Sequence, residues 1–350
     1  MEMTRPSKFF LESFQTTLRG NLLDYGSRNG ELALTLECSF ADHRISNTTS
    51  GVKAHYVSTT QELAQTYQAI ILTAQFSNAL NLQLVRELLS VLAPGRKLYV
   101  LLEKGYTVTP FDELMITYAV DESPVGEKVL TFTRWEGPID VNEKPARYTV
   151  AVGEKTLTLL AGAGVFSSEI LDAGTKALLD VVAWKPGKVL DLGCGNGVVG
   201  LYAHSMGATE VTLLDSDLRA LHWAKENAER NHTPVRTVAS DGFSQLEGGS
   251  QFDMILSNPP YNSDYSVAKG FIEDGYKALA VGGSIWLVVK NSEWYRNKMR
   301  TIFGGSKVIE QDGYIIITAE KREGQRKLPV KEHKTTRKHE KRMAASKKNR

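Results

Sequence analysis

Two stretches of this chain can be laid on one another. When residues 22–34 are set on residues 189–201, Leu23, Asp24, Gly26, Asn29, Gly30 and Leu34 coincide with Leu190, Asp191, Gly193, Asn196, Gly197 and Leu201. In each stretch an apolar run ends on an Asp, passes through a glycine-rich turn and becomes apolar again. That order specifies a buried strand, a tight turn and a helix, the opening unit of a parallel α/β sheet. A second echo keeps the same order along the chain: Leu92-Ala93-Pro94-Gly95 before the apolar residues 98–101, and Leu279-Ala280-Val281-Gly282 before the apolar residues 285–288. Between these landmarks, Ile70-Ile71-Leu72-Thr73-Ala74-Gln75-Phe76 takes the place of Ile255-Leu256-Ser257-Asn258-Pro259-Pro260-Tyr261. Two α/β domains of common design follow, each a doubly wound, mostly parallel sheet, the first shorter between its landmarks. Reuse of the strand–turn–helix pattern among α/β proteins is the plainer account of the likeness, and the domain count stands under either.

A chain of 350 residues is long for one α/β core and fits two domains of ordinary size. No apolar run reaches membrane-spanning length, and the opening Met1-Glu2-Met3-Thr4-Arg5-Pro6 lacks the apolar core of a secretory signal, so a cytoplasmic protein is expected. Cys38 and Cys194 are too few for a disulfide framework and lie in no metal-ligand spacing, so free thiols and no metal are expected. The seven histidines form no cluster. The net charge of +2 hides an asymmetry: residues 321–350 hold 13 Lys/Arg and 3 Glu, a surplus of ten, which leaves residues 1–320 eight charges negative. This segment has no apolar periodicity and too little to bury, which predicts a disordered basic tail. A flexible cation of that density suits phosphate backbones, because each neutralised phosphate releases condensed counterions.

The domains are predicted as 1–135, 136–320 and the tail 321–350, with a linker near Trp135-Glu136-Gly137-Pro138-Ile139-Asp140. Alternating residues 148–159 read as a hairpin turning at Gly153. Asp172 is placed to cap a helix carrying Leu178, Leu179 and Val182. From there strands are expected at 188–192, 210–214, 235–239, 252–257 and 284–290, and helices at 197–206, 217–231 and 267–280. Residues 314–319 read as a closing strand paired with 307–310.

In such a sheet the ligand crevice lies at the carboxyl ends of the strands, where Gly193, Cys194, Gly195 and Gly197 fall. Glycines permit close approach to a ligand, and the helix that follows favours a carboxylate at its start. Asp215 ends the next strand, placed to accept hydrogen bonds from ribose hydroxyls. A dinucleotide is disfavoured, because the third glycine of its fingerprint would fall on Val198 and the acidic Asp191 precedes the turn. S-adenosylmethionine fits better, its ammonium met through Asp191, its ribose by Asp215 and its adenine amine by Asp241. Asp217 also reads as a helix cap and Asp241 as a turn residue. In the first copy Arg28 replaces the middle glycine, and its side chain is expected to block the approach of a ligand.

Ser257-Asn258-Pro259-Pro260-Tyr261 stands at the end of the apolar run Phe252-Asp253-Met254-Ile255-Leu256. An exocyclic base amine is a poor nucleophile because its lone pair is delocalised into the ring. The side-chain oxygen of Asn258 and the carbonyl of Pro259 can accept the two amine hydrogens and favour a pyramidal nitrogen, so that positioning and charge stabilisation replace a strong base. Pro259 and Pro260 stiffen the turn, and Tyr261 can stack on the base. Asn258 also counts among the expected cofactor contacts. Taken alone, the same residues read as a strand terminator and a turn. Cys194 has no evident base beside it and reads as a small loop residue.

Gly164-Val165-Phe166-Ser167 with Leu171-Asp172-Ala173-Gly174-Thr175, residues 191–197 and residues 257–261 together resemble the class I methyltransferases that modify guanine N2 in bacterial ribosomal RNA, a family with duplicated Rossmann-like domains. The resemblance implies a degenerate amino-terminal copy that assists RNA binding or folding and a catalytic carboxyl-terminal copy. It also implies that Phe166, Asp172 and Thr175 help line the S-adenosylmethionine pocket, and that ribosomal RNA or a ribosomal subunit is the partner. Two features depart from the pattern. Tyr261 stands where the family usually has Phe, a sequence also common in adenine-N6 and glutamine-N5 methyltransferases, and the basic tail is extra. Methylation of a protein glutamine or of adenine, and a non-catalytic ribosome-assembly factor, are the other readings.

Overall fold

The computed structural model describes residues 3–45, 54–63, 66–152, 154–166, 170–247, 249, 251–259, 265–290 and 292–323. The first sheet contains β1 (Leu22–Tyr25), β2 (Ser39–Asp42), β3 (Ala54–Tyr56), β4 (Tyr67–Thr73), β5 (Leu92–Leu102), β6 (Tyr118–Glu122) and β7 (Lys128–Thr133), in the order β3-β2-β1-β4-β5-β7-β6. A hairpin, β8 (Ala146–Val152) and β9 (Lys155–Ala161), follows, its turn residue Gly153 lying outside the described residues. The second sheet contains β10 (Lys188–Leu192), β11 (Glu210–Asp215), β12 (Arg236–Ala239), β13 (Phe252–Ser257), β14 (Leu279–Val289), β15 (Lys307–Gln311) and β16 (Tyr314–Glu320). Its order, β12-β11-β10-β13-β14-β16-β15, is that of the first sheet. Helices α1 (Arg5–Phe14), α2 (Glu31–Leu36) and α3 (Asn78–Ser90) flank the first sheet, and α4 (Ala173–Val181), α5 (Val198–Ser205), α6 (Leu218–Arg230), α7 (Tyr265–Ala278) and α8 (Ser292–Phe303) the second.

The strand pairing reproduces the sequence repeat residue for residue. Leu23 pairs with Ile70 and Ser39, and Leu190 pairs with Ile255 and Thr212. Thr73 is thus the counterpart of Asn258, and Asp42 of Asp215. Side chains on a strand alternate between faces. Val189, Met254 and Leu256 accordingly join a core with Leu178, Leu201 and Ala224 of α4, α5 and α6. Leu190, Leu192 and Ile255 join the opposite core with Ile272, Met299 and Phe303 of α7 and α8. The first five strands in each sheet order run parallel, while β16 and β7 return antiparallel.

Two expected boundaries are corrected. The helix expected to reach residue 280 ends at Ala278, because Leu279 already pairs with Phe252 and β14 runs from there through an irregularity. Lys321, counted with the tail on charge alone, closes the sheet edge: its N–H donates to the Gly283 carbonyl at 2.9 Å, its carbonyl accepts from Gly282 N at 2.7 Å, and its ammonium lies over the Tyr276 ring. Residues 324–350 lie outside the described residues. Among the described residues no helix is long and apolar enough to cross a membrane.

Candidate active site

β10 has β11 on one side and β13 on the other, so the chain leaves these neighbouring strand ends in opposite directions and opens a crevice between them. Ser257 Oγ donates to the Leu192 carbonyl at 2.6 Å and ties the two ends together. The glycine loop hangs from β11: the N–H groups of Gly193 and Cys194 both donate to the Leu214 carbonyl, at 2.8 and 2.9 Å. Gly195 adopts φ +53°, a conformation that disfavours side chains. The first copy carries Arg28 at this place by rewinding the turn into a single 3-10 turn, with the positive φ passed on to Asn29. The expected steric block by Arg28 is therefore a changed loop path. Asn196 donates from Nδ2 to Tyr148 Oη at 2.7 Å, and Asn227 Nδ2 donates to the Asn196 carbonyl at 3.0 Å, so hairpin and helix α6 brace the loop from below.

Asp191, expected to meet the cofactor's ammonium, also braces the fold. It is 2% exposed, and its Oδ2 accepts from Gly200 N at 2.9 Å. Asp24 makes the same bond to Ala33 N at 2.8 Å in the first copy, so this carboxylate braces strand against helix in both. Gly200 has to be glycine: a Cβ there would lie 2.2 Å from Leu213 Cδ2. Asp215 accepts from Gly195 N at 2.9 Å through Oδ2 and from Asp217 N at 3.0 Å through Oδ1. Asp217 caps α6, accepting from Arg219 N at 2.8 Å. Burial raises all three carboxyls above their ordinary range, Asp191 and Asp217 to about 7, with the Asp215 charge adding to both. Such a cluster favours a ligand that brings positive charge and hydroxyl donors. Burial pushes the Cys194 thiol well up, so it is no nucleophile and serves as a small loop residue.

Asp172, Thr175 and Asn258 come together in one set. Asn258 donates from Nδ2 to Asp172 Oδ2 at 2.8 Å and to Thr175 Oγ1 at 2.9 Å, and the Thr175 hydroxyl donates to the same carboxylate oxygen at 3.2 Å. A carboxylate only accepts, so the Asn258 amide turns its Nδ2 toward Asp172, and Oδ1 is its acceptor end. Asp172 and Thr175, which the resemblance implies line a cofactor pocket, also hold Asn258 through these hydrogen bonds, and Asp172 caps α4 through Thr175 N at 2.8 Å. Phe166 is half exposed beside the glycine loop, its Cβ 3.7 Å from where a Cβ on Gly195 would stand. Asp241 is not part of this set. It is exposed in a turn, its carbonyl accepting from Ser244 N at 3.2 Å, and lines a groove of about 640 Å³ against α7. Pro259 is buried, while Pro260 and Tyr261 lie outside the described residues. Among the described residues no cluster of acids, histidines and cysteines could hold a metal ion.

The two copies meet through equivalent loops. Ile45 N donates to the Ser216 carbonyl and Leu218 N to the His43 carbonyl, both at 2.9 Å, so the segments after β2 and β11 pair about a local pseudo-two-fold. Arg44 forks onto Asp42 at 3.0 and 2.8 Å and reaches the Gly26 carbonyl at 3.3 Å, neutralising the counterpart of Asp215. Nearby, the buried Arg219 bridges Glu87 at 3.2 Å and Glu143 at 3.1 Å. Sequence reasoning missed His43, Arg44, Ile45 and Arg219, which have no local signature, and Asn196 and Tyr148, of which only Asn196 was marked by the repeat.

Residues 156–318 match the model of the methyltransferase small domain. Ribosomal RNA large subunit methyltransferase G of Pseudomonas paraeruginosa is 34% identical over 197 residues, 53% of this chain and 52% of that protein. Protein YbxB of Bacillus subtilis is 30% identical over 194 residues, 51% of this chain and 96% of that protein. The chain spans about half the length of the first of these relatives. The structure of the Thermus thermophilus 16S rRNA N2 G1207 methyltransferase in complex with AdoMet and guanosine has the same fold, with a TM-score of 0.76 at 22% identity over 88% of this chain and 90% of that one. With its paired sheets, glycine loop and Asn-Pro turn at the switch point, the chain belongs to the methyltransferase small domain family.

Proposed function

We propose that this protein transfers a methyl group from S-adenosylmethionine to the exocyclic N2 amine of a guanine in ribosomal RNA. The observation that carries the reading is the fixed amide of Asn258, held by Asp172 and Thr175 at the mouth of the crevice. The residues present fit the cofactor: buried, elevated carboxyls at Asp191, Asp215 and Asp217 suit a cation, and a Cβ on Gly193 would meet nothing within 4 Å. Gly193, Cys194, Gly195, Gly197, Phe166 and Asp215 are the residues that would hold it, with Asp241 the candidate for the adenine amine. When bound, it supplies an electrophilic methyl.

The chain's own work is positional. Asn258 Oδ1 and the Pro259 carbonyl accept the two amine hydrogens and favour a pyramidal nitrogen with its lone pair in line, Pro260 stiffens the turn, and Tyr261 stacks on the base. The amine proton leaves to water afterwards, so no strong base is needed. Ribosomal RNA as substrate is supported by the name of the large subunit relative, and guanine as acceptor by the N2 G1207 activity named for the structural neighbour and the guanosine bound to it. The first copy, with Thr73 and Ala74 in place of Asn258 and Pro259 and with Arg44 on Asp42, serves RNA binding or folding rather than transfer. The basic tail reaches phosphates, and the work belongs to the cytoplasm, where ribosomal RNA is found.

The test is a labelled-methyl assay offering ribosomal RNA and total protein side by side, with nucleoside mass spectrometry of the RNA. Label in N2-methylguanosine, lost in Asn258→Ala, is expected. Label on protein glutamine or on adenine N6 would move the acceptor, and wild-type function of Asn258→Ala would make the protein a non-catalytic assembly factor.

A further inference from the structure

Helices α5 and α6 run from the crevice to the opposite edge of the second sheet, and their carboxyl ends face a second groove, of about 510 Å³, that the transfer chemistry does not use. Arg147 of β8, Lys155 of β9, His204 of α5, Arg230 at the end of α6 and His232 line it, with no acidic residue among the lining. Among the described residues Arg147, Lys155 and Arg230 make no ion pair, whereas Lys188, Arg236, Lys277 and Lys298 of the same domain each have an acidic partner. The body of the protein carries eight net negative charges over residues 1–320, so an unneutralised cationic cluster runs against its surroundings.

The groove is also rigid. Asn231 clamps Thr158 of the hairpin with two bonds, accepting from its N–H at 2.9 Å and donating to its carbonyl at 2.8 Å, and Asn227 does the same to Leu160, both at 2.7 Å. The hairpin that carries Arg147 and Lys155 is thereby bolted to the helix that carries Arg230. His232 follows that helix at φ +51°, where glycine or asparagine is the easier choice. The helix dipoles account for basic residues at positions 204 and 230. They do not account for the two on the hairpin.

We propose that this groove binds the phosphodiester backbone of the RNA, at phosphates remote from the modified nucleotide, an inference that rests on the RNA substrate proposed above. Arginine forks match phosphate oxygens and lysine adds a point charge. The groove and the crevice are separated by the length of α6, about 20 Å for its helical rise, so a folded RNA segment is needed to reach both.

The test uses the full chain with Arg147→Gln, Lys155→Gln and Arg230→Gln combined, so that the tail is common to both proteins. Affinity for a short RNA duplex is followed by fluorescence anisotropy across a potassium chloride series. The log–log salt slope should become shallower by about 2 to 3, at ~0.9 per lost phosphate contact, with weaker binding at low salt. S-adenosylmethionine affinity and the thermal midpoint should stay at wild-type values, and Arg147→Lys with Arg230→Lys should keep the slope. A triple variant with the wild-type slope overturns the groove while leaving the methyl-transfer reading intact. Conversely, groove-dependent duplex binding by a protein that places no methyl on ribosomal RNA keeps the groove and sinks the proposed acceptor.

Discussion

Replacing Asp172 with Asn separates two roles for this residue, cofactor ligand and support for Asn258. Asp172 Oδ2 accepts from Thr175 N, Thr175 Oγ1 and Asn258 Nδ2 at 2.8, 3.2 and 2.8 Å. As an N-cap, Asn ranks with Asp, so α4 should lose no more than a few tenths of a kcal/mol. The charge is what disappears. A hydrogen bond to a charged acceptor contributes about 1.5–3 kcal/mol against about 0.5–1.5 for a neutral one, so roughly 1–2 kcal/mol of orienting energy on the Asn258 amide is lost. Once turned over, that amide presents donors to the amine it should accept from. At 1.36 kcal/mol per factor of ten, kcat for methyl transfer to ribosomal RNA should fall about 5- to 30-fold. The calorimetric Kd for S-adenosylmethionine should not change. An unchanged kcat with a weakened cofactor Kd would refute the reasoning and return Asp172 to the cofactor pocket.

Three further perturbations probe the frame around the site. Arg219→Met leaves Glu87 and Glu143 unpaired at the junction of the two copies, which should cost about 3–5 kcal/mol in urea denaturation and be largely recovered by adding Glu87→Leu; a loss below about 1 kcal/mol would mean that the pair is solvated. Ile45→Pro removes the N–H that holds the Ser216 carbonyl next to the Asp217 cap, and should weaken S-adenosylmethionine binding about fivefold, the value of one hydrogen bond of about 1 kcal/mol, with RNA duplex affinity kept. Asp191 and Asp217 titrate in the fold at about 7, above their ordinary 3.8, so their contribution to stability is complete below the lower value and is lost as pH rises through the upper one. A cationic cofactor favours their ionised forms. Binding should therefore release protons near neutral pH and tighten as pH rises through 7, which calorimetry in buffers of different ionisation enthalpy will read; proton uptake would contradict it.

The strands, the glycine turn and the Asp172 cap were legible because their causes are local: alternation of apolar residues, backbone angles open to glycine, and an acceptor at a helix start. The set formed by Asp172, Thr175 and Asn258 was not, although each residue had been singled out, because its members are 83 and 86 residues apart and meet only when α4 is laid beside β13. Arg219 was illegible for another reason. On a helix with a polar face it reads as one more exposed cation, and only docking of the first copy buries it against Glu87.

The duplication itself contained a sharper guide than either motif. What the two copies share at the loop includes a pair that does scaffold work in both, Asp24 and Asp191, as the matching bonds to Ala33 N and Gly200 N demonstrate. What they do not share includes the residues proposed for binding and transfer: Arg28 against Gly195, Thr73 against Asn258, Ala74 against Pro259, Arg44 against Asp217. Asp42 and Asp215 are the instructive exception, identical in type and place yet different in electrical state. Arg44 forks onto the first, whereas the second receives backbone N–H groups, those of Gly195, Ser216 and Asp217, and keeps a raised pKa because burial outweighs them. By Coulomb's law the carboxylate without a cation beside it among the described residues attracts a positively charged ligand more strongly than the one that Arg44 neutralises, which is the physical ground for proposing that the second copy binds the cofactor.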